Sequence, residues 1–337
     1  MQKALLLNSK YGNFVVSDIP RESPGVGEVL IKVQSAALNP VDWKIQRFGY
    51  LIDGYPAVLG SDIAGDVVEV GEGVSDFQKG DRVFSQAVFK KTRGAFQQYV
   101  VASTSSLSKI PPKFSYDEVS TLPMALTTAF AGLYKDPDSG LGITPPITEE
   151  ARGKYANTPI VILGGSSSVG QYVIQFAKLS GFSPIIVTAS PSHTDSLLEI
   201  GASNVIDRNL STSSLSEEIG KITSKPIHFV FDSIALAETQ QTAIDIISPG
   251  GRAVVVLPAV VAPAEGKYLS KTNAGHVHPI PTFYREHLYG FLEKGFITPN
   301  RFEILPNGLA GIVEGLERLE ANRVSRLKLV ARPQETL

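Results

Sequence analysis

The sequence predicts an α/β protein in which a doubly wound parallel-sheet domain interrupts a β-rich, barrel-like domain. Strands and turns fill residues 1–125, strands and helices alternate from residue 160, and amphipathic helices and a last strand follow residue 281. A chain of 337 residues is long for one hydrophobic core, which favours two domains. We expect boundaries at residues 1–125, 126–280 and 281–337, with the last segment returning to the first domain.

The composition is that of an ordinary folded protein, with 43% hydrophobic and 19% charged residues. A formal net charge of -2 provides no broad attraction to nucleic acid or to anionic lipid. The apolar run at residues 4–7 is too short for a signal peptide or a membrane span. We therefore expect a cytoplasmic protein without nucleic-acid or membrane partners. The absence of cysteine excludes disulfides, thiolate catalysis and zinc sites that use cysteine ligands.

The first domain is predicted from β-branched segments that are separated by turns. Residues 28–38 (EVLIKVQSAAL) and 62–71 (DIAGDVVEVG) show partial period-two alternation, and the turns between the segments are rich in Gly, Pro and Asp. Residues 117–134 (DEVSTLPMALTTAFAGLY) are helical in composition, with a break at Pro123. The polar, Pro- and Gly-rich residues 135–159 are interpreted as a surface insertion.

The second domain is predicted from strict alternation of strands and helices. The strands are PIVILGG, PIIVTAS, NVID, IHFVFDS and RAVVVL, and the helices are SVGQYVIQFAKLSG, SHTDSLLEIGA, SSLSEEIGKIT and AETQQTAIDIISPGG. Continuous apolar strands that alternate with helices indicate a parallel sheet covered on both faces. The tail holds two predicted helices, FYREHLYGFLEKG and NGLAGIVEGLERLEAN, and a strand, RLKLVARP. Because the parallel sheet already has its strands, this tail should pack on the first domain.

A glycine-rich turn joins the first strand of the alternating region to its helix. It consists of Gly164, Gly165, Ser166, Ser167, Ser168, Val169 and Gly170. Such a turn lets a pyrophosphate approach the backbone and the helix N-terminus. Gly165 and Gly170 take the first and last glycine positions of G-x-G-x-x-G, and Ser167 replaces the middle one. We predict a dinucleotide site with the Ser167 hydroxyl available to a phosphate; the alternative is a tight structural turn that binds nothing.

The residues after the second and third strands favour NADPH over NADH. NAD sites place an acid about 20 residues after the glycine turn, where it binds the ribose hydroxyls. Ser190 stands there instead, and no acid follows until Asp195. Arg208, at the end of the third strand, is placed to supply positive charge for a 2′-phosphate, with help from His193. The alternative for Arg208 is a solvated surface residue.

The order and spacing of six motifs resemble the medium-chain dehydrogenase/reductase superfamily. They are VGEVLIKVQSAALNPVDWKIQ, LGSDIAGDVVEVGEGV, GDRV, GAFQQYV, LPMALTTAFAGL and GGSSSVG, and they cover nearly the whole chain. In zinc alcohol dehydrogenases of that superfamily, a metal-binding cysteine and a Gly-His-Glu motif stand where this chain has residues 37–43 (ALNPVDW) and 60–65 (GSDIAG). The four-cysteine structural zinc lobe is missing as well. The resemblance therefore implies the zinc-independent branch, which comprises quinone oxidoreductases, enoyl reductases and alkenal double-bond reductases.

Within that branch the sequence is most similar to the fungal trans-acting enoyl reductases. The shared features are NPVDWK, LTTAFAGL, the polar insertion, GGSSSVG and TASP. The resemblance implies a GroES-like barrel domain interrupted by a Rossmann domain that binds NADPH. It also implies hydride transfer to the β-carbon of an α,β-unsaturated carbonyl, with a polyketide synthase as a candidate partner.

Three residues are candidate catalytic donors. The resemblance to the enoyl reductase motifs NP-x-D-x-K and S/T-T-A assigns Lys44 and Thr128 to the carbonyl oxygen, where negative charge develops. Tyr50 is a further candidate at the mouth of the site. The alternatives are a surface lysine for Lys44, and for Thr128 a hydrogen bond to the nicotinamide carboxamide or to a helix carbonyl. Asn39 and Asp42 are interpreted as residues that fix the local loop.

Two further segments complete the predicted site. Leu257 and Pro258 follow the fifth strand of the alternating region and should lie under the nicotinamide ring. His276 and His278 have the spacing of a metal-ligand pair on a strand, but no third ligand is nearby. We therefore predict no metal site.

The leading hypothesis is an NADPH-dependent, zinc-independent reductase of an α,β-unsaturated carbonyl. The same fold also suits an NADPH:quinone oxidoreductase, and the sequence separates the two poorly. A third hypothesis is a scaffold protein that binds NADPH with little turnover. The expected partner is a small-molecule enone, enal, enoyl or quinone substrate, and the expected assembly is a monomer or a homodimer.

Overall fold

The computed structural model describes residues 1–272, 274–275 and 280–337, and the chain forms two compact units. Unit 1 comprises Met1–Met124, Pro281–Glu293 and Thr298–Leu337, and unit 2 comprises Ala125–Ile280 and Lys294–Ile297. The tail thus belongs to unit 1 except for its residues 294–297.

The regular elements follow the chain in this order. The strands are β1 (Gln2–Leu7), β2 (Phe14–Ile19), β3 (Glu28–Ala37), β4 (Ala57–Val58), β5 (Asp62–Val70), β6 (Arg82–Gln86), β7 (Tyr99–Ser103), β8 (Leu107–Lys109), β9 (Ile160–Leu163), β10 (Ile185–Ala189), β11 (Asn204–Asp207), β12 (Phe229–Asp232), β13 (Arg252–Val255), β14 (Tyr268–Lys271), β15 (Phe302–Ile304) and β16 (Lys328–Ala331). The helices are α1 (Pro40–Phe48), α2 (Tyr116–Ser120), α3 (Pro123–Tyr134), α4 (Ser168–Ser180), α5 (Thr194–Glu199), α6 (Thr212–Ile222), α7 (Ala237–Ile246), α8 (Ile280–Thr282), α9 (Leu288–Glu293) and α10 (Gly311–Glu320).

Unit 1 is built on two sheets, and the period-two segments of the sequence had predicted a β-rich, barrel-like domain here. One sheet has the order β15-β16-β3-β5-β6-β8, with β7 also paired to the first half of β3, and the second has the order β2-β1-β4. The long strand β3 is antiparallel to β5, β7 and β16, so it organises the larger sheet. The inward side chains, including Val29, Ile31 and Val33, are fully buried in one apolar core.

Unit 2 is a parallel six-stranded sheet in the order β11-β10-β9-β12-β13-β14. This confirms the predicted α/β fold, with a GroES-like domain and a Rossmann sheet. Its central strands are buried along their length, as expected for a sheet covered on both faces. The expectation of five strands was wrong, because β14 adds a sixth at one edge.

The polar segment 135–159 contains neither helix nor strand, but the prediction of a surface insertion was wrong for part of it. Leu141 and Ile143 are buried, and the ring of Tyr155 stacks on that of Phe182 at 4.8 Å between centroids. Scattered apolar side chains in a polar stretch therefore fasten this loop to unit 2.

The tail helix predicted as FYREHLYGFLEKG is not regular. A π-helical turn at Phe283–His287 separates α8 from α9, and the fully buried Phe283 and Tyr284 lie in that turn. The short strand β15, which pairs parallel with β16, was also not predicted. Within the described ranges no helix has the length and apolar character needed to cross a membrane.

Candidate functional site

The glycine turn of unit 2 lies between the end of β9 and the start of α4, and it is tightly packed. Gly164 has a φ of +77°, a backbone conformation that favours glycine. A Cβ atom on Gly165 would lie 2.0 Å from Val187 Cγ1, and one on Gly170 would lie 2.4 Å from the Gly164 carbonyl oxygen. The chain therefore needs glycine here, and the turn fits the close approach of a pyrophosphate.

The Ser167 hydroxyl is engaged within the protein, whereas the sequence analysis left it available to a phosphate. It caps α4 by accepting a hydrogen bond from the Gly170 amide at 2.9 Å, and it donates to Ser233 Oγ at 3.0 Å. Ser233 in turn donates to the carbonyl oxygens of Leu163 and Gly164. The cap thus ties the glycine turn and the start of α4 to the end of β12.

The rest of the glycine turn lies at the surface of unit 2. Ser166, Ser168 and Val169 are half-buried, in contrast to the buried Gly165 and Gly170. Small side chains at these positions leave the backbone of the turn accessible to a ligand.

The edge predicted to bind the ribose is formed by the ends of β10 and β11. These strands are parallel neighbours, and the Arg208 amide donates to the Ala189 carbonyl at 3.0 Å, so Arg208 follows β11 beside Ser190. Ser190 Oγ lies 3.0 Å from Ser192 Oγ, and the half-buried His193 follows in the same 3₁₀ turn. Arg208 is exposed and forms no ion pair with any described residue. A hydroxyl pair and a cation thus share the edge at which a 2′-phosphate is expected.

The segment predicted to lie under the nicotinamide is held by a residue that the sequence analysis missed. Gln240, on α7, is fully buried; its Nε2 donates to the carbonyl oxygen of Pro258 at 3.1 Å, and its Oε1 accepts from the Val260 amide at 2.8 Å. Nε2 also donates to the Ala235 carbonyl at 3.0 Å. Gln240 therefore fixes the exit of β13 where Leu257 and Pro258 lie. No sequence signal distinguishes this glutamine from its neighbour Gln241, because only the fold shows which one faces inward.

In unit 1 the candidate donors Lys44 and Tyr50 belong to α1 and the loop after it. Lys44 is half-buried, its Nζ lies 5.6 Å from the centre of the Trp43 ring, and burial lowers its pKa. Tyr50 is 39% exposed, and burial of its hydroxyl together with the charge of Asp42 raises its pKa. Burial thus favours the neutral form of each group, the amine of Lys44 and the protonated phenol of Tyr50.

The third candidate donor, Thr128, lies in α3. It is half-buried, while the flanking Thr127 and Ala129 are fully buried. Thr128 is thus on the less buried face of this helix.

The segments that carry zinc ligands in the zinc alcohol dehydrogenases hold a different structure in this chain. Asn39 Nδ2 donates to Ser61 Oγ at 3.1 Å and to Asp62 Oδ2 at 2.9 Å. The buried Lys328 ammonium donates to Asn39 Oδ1 at 2.7 Å and to Asp62 Oδ2 at 2.6 Å. The Asp62 carboxylate is the single group of a zinc-ligand type in this cluster, and it is already paired with an ammonium and an amide; the set does not fit a zinc ion, which needs several thiolate, imidazole or carboxylate ligands.

No cluster of three or more His, Cys, Asp or Glu suited to a metal ion occurs in the described parts of the chain. His276 and His278, for which the sequence analysis predicted no metal site, lie outside the described residues.

Comparison with known families identifies both units. The profile of the family described as "Alcohol dehydrogenase GroES-like domain" matches residues 25–112, and that of the family described as "Zinc-binding dehydrogenase" matches residues 168–262. The first match lies in unit 1 and the second, which includes the start of α4, lies in unit 2.

Individual proteins resemble the chain over most of its length. A trans-enoyl reductase of Aspergillus japonicus is 31% identical over 318 residues, which cover 90% of this chain and 89% of that protein. Among solved structures, an alcohol dehydrogenase superfamily protein from Novosphingobium aromaticivorans superimposes with a TM-score of 0.83 at 22% identity, covering 98% of this chain and 99% of the other. A quinone oxidoreductase of Pseudomonas syringae superimposes with a TM-score of 0.79 at 21% identity, covering 98% and 100%. The two structural likenesses show a shared fold.

Proposed function

Because the chain belongs to the medium-chain dehydrogenase/reductase superfamily, in its zinc-independent branch, we propose that it is an NADPH-dependent reductase of carbon–carbon double bonds next to a carbonyl group. The chain is an oxidoreductase of a family that uses a nicotinamide cofactor. The proposal adds that the cofactor is NADPH and that the substrate is an activated double bond. A relative of 31% identity that is named a trans-enoyl reductase supports this choice of substrate.

The observation that carries the proposal is the Lys328–Asn39–Asp62 cluster in place of zinc ligands. These residues do not fit the Lewis acid that stabilises an alkoxide in alcohol oxidation. Reduction of an activated double bond requires only hydrogen-bond donors for the enolate oxygen. The chain offers Lys44, Tyr50 and Thr128 as such donors.

A nicotinamide cofactor, when bound at the glycine turn, would supply the hydride for the β-carbon of the substrate. The chain's own residues orient the carbonyl group and stabilise the negative charge that develops on its oxygen. We assign this task to Lys44 and Thr128, and we assign Tyr50 to the mouth of the site. A side chain or water then delivers the proton to the α-carbon.

Replacement of Lys44 by alanine tests the donor role. Loss of one donor to a developing oxyanion should lower kcat about a hundredfold, with little change in cofactor affinity. Steady-state kinetics and cofactor titration measure both, and Lys79→Ala removes an exposed lysine of unit 1 as the control. Unchanged kcat in the Lys44 variant would remove this residue from the mechanism.

The function itself is tested by following NADPH oxidation with three substrates in parallel: an α,β-unsaturated ketone or aldehyde, an enoyl thioester and a naphthoquinone. We expect turnover on the first or second. Turnover on the quinone alone would overturn the proposal in favour of a quinone reductase. Tight NADPH binding without turnover on any of them would favour a binding protein.

We propose a preference for NADPH because Ser190 and Arg208 lie together at the ends of β10 and β11. Loss of a charged hydrogen bond to the 2′-phosphate in Arg208→Ala should raise the KM for NADPH about tenfold and leave that for NADH nearly unchanged. Lys221→Ala, which removes an exposed cation on α6 of the same unit, is the control. Equal effects on both cofactors would show that Arg208 does not contact the 2′-phosphate.

Replacement of Gln240 by leucine tests whether the segment of Leu257 and Pro258 contributes to binding of the nicotinamide. The change leaves the Pro258 carbonyl and the Val260 amide without their partner, so NADPH should bind about tenfold more weakly. Binding of 2′,5′-ADP, which lacks the nicotinamide, should not change. Gln241→Leu, at the adjacent exposed position, is the matched control. If NADPH and 2′,5′-ADP both bound more weakly by the same factor, the substitution would act on a part of unit 2 other than the nicotinamide segment.

A further inference from the structure

A closed cluster of buried polar side chains joins three separate parts of unit 1. Asn39 precedes α1, Asp62 begins β5, and Lys328 begins β16, which lies 266 residues beyond Asp62 in the sequence. Asp62 is fully buried and Lys328 is 3% exposed. Burial of such charges is costly unless each is paired and hydrogen-bonded, so the cluster needs a compensating arrangement.

The arrangement is supplied by Lys328. Its ammonium group donates to Asn39 Oδ1 at 2.7 Å and to Asp62 Oδ2 at 2.6 Å, so it bridges the two segments. Asn39 closes the triangle by donating from Nδ2 to Asp62 Oδ2 at 2.9 Å. Every pair in this triangle is directly bonded, and one cation joins the segments 37–43 and 60–65.

The cluster also determines where α1 begins. Asn39 is the N-cap residue of α1, Pro40 is its first residue, and Asp42 Oδ2 accepts from the Asn39 amide at 2.8 Å in a capping box. Lys328 holds the Asn39 side chain and so anchors the residue that precedes the first turn of α1. The same helix carries Lys44, in its second turn.

Asp62 has a second attachment within unit 1. Its Oδ1 accepts from the Met124 amide at 2.8 Å, in the first turn of α3. The carboxylate that binds Lys328 therefore also holds the start of another helix.

We propose that Lys328 is a positioning residue whose buried ammonium joins the segments of Asn39 and Asp62, as a metal does in the zinc enzymes, and so holds α1 and its Lys44 in place. The part that concerns turnover rests on the proposed function of Lys44. The part that concerns α1 stands on the hydrogen bonds of the cluster alone.

The test uses Lys328→Met and the double variant Lys328→Met/Asp62→Asn in the full-length protein. The double variant removes both charges, so it avoids the unpaired buried carboxylate of the single variant and keeps the experiment decisive if the single variant does not fold. Hydrogen exchange of the α1 amides is measured together with kcat, KM and NADPH affinity.

Loss of the Lys328 anchor on Asn39 should speed exchange in α1 about fivefold in both variants. Misplacement of Lys44 should lower kcat about tenfold or more, while the dissociation constant of NADPH stays unchanged. The matched control is Arg332→Met, which breaks the ion pair with Asp117 in the same unit without touching α1. It should lower the melting temperature but leave α1 exchange and kcat as in the wild type.

Unchanged α1 exchange in both Lys328 variants would overturn the proposal, as would an equal acceleration in Arg332→Met. Faster α1 exchange combined with unchanged kcat would overturn the catalytic consequence and retain the structural one. If the wild type reduces none of the three substrates, the proposed function fails while the exchange experiment still decides the role of Lys328.

Discussion

Replacement of Gly170 by alanine is expected to weaken binding of the nicotinamide cofactor about a hundredfold, because the turn has no space for a methyl group. The added Cβ atom would lie 2.4 Å from the Gly164 carbonyl oxygen and 2.7 Å from the Gly165 Cα atom. Both atoms belong to the backbone, so relief of the clash requires the turn itself to move. The turn is the part of unit 2 that a pyrophosphate must approach closely.

Titration of the protein with NADPH, followed by fluorescence, measures this loss directly. Gly220→Ala is the matched control, since Gly220 lies within α6 and an added Cβ atom there meets no atom within 4 Å. That variant should bind NADPH normally and gain up to about 1 kcal/mol in stability from better helix propensity. Normal cofactor binding by a folded Gly170→Ala protein would show that the cofactor does not use this turn.

Most of unit 2 could be predicted because its strands are short apolar runs bounded by clear helix signals. Strand β10 is buried at every position, and α4 ends at Gly181, whose φ of +89° marks a left-handed C-cap. Strand β14 gave no such signal. Its sequence YLSK is neither a continuous apolar run nor an alternation of apolar and polar residues, and as an edge strand it is only partly buried. Alternation predicts a half-buried strand and a continuous apolar run predicts a fully buried one, and β14 shows neither pattern.

The cluster around Lys328 could not be predicted from local patterns. The sequence analysis interpreted RLKLVARP as a strand, and a lysine in a strand is ordinarily expected on the solvent face. In the structure Lys328 points inward, because Asp62 and Asn39 provide its partners from segments far away in the sequence. The interpretation of Asn39 and Asp42 as residues that fix the loop identified one half of this contact. The missing zinc ligands gave no indication that a lysine from the last strand lies at this place.

Gln240 illustrates the same limit in unit 2. Polar residues on α7 are equally compatible with a solvated helix face, and Gln240 and Gln241 are indistinguishable by composition. The backbone groups that Gln240 binds belong to Pro258 and Val260, in a loop whose path no local rule specifies. Long-range partners of buried polar side chains are set by the tertiary fold, which periodicity does not encode.

Replacement of Asp42 by asparagine is expected to change the pH dependence of stability more than any other single carboxylate substitution that the structure suggests. Asp42 is fully buried, and its Oδ1 has no hydrogen-bond partner among the described residues. Burial raises its pKa from 3.8 to about 7, against the opposing effect of the Asn39 amide, with a further upward contribution from Asp62. The folded protein thus holds a proton that the unfolded chain has already released.

The direction of the effect of pH on stability follows from this difference in the pKa of Asp42 between the folded and the unfolded state. Below pH 4 the carboxyl is protonated in both states, and the group does not oppose folding. Between pH 4 and 7 only the unfolded chain ionises, so stability falls as the pH rises, and above pH 7 the loss is complete. The difference between 3.8 and about 7 corresponds to on the order of 4 kcal/mol.

The asparagine variant has no charge to bury, so its stability relative to the wild type should improve steadily from pH 4 to pH 8. Urea unfolding at a series of pH values measures this relative slope, which remains informative even if the new amide costs some stability at low pH. Asp53→Asn, which removes an exposed carboxylate in the same unit, controls for the change in net charge. Parallel stability curves for Asp42→Asn and the wild type across this range would show that Asp42 is already ionised in the folded protein at low pH. The Lys328 ammonium would then have to balance both buried carboxylates of the cluster, Asp42 as well as Asp62.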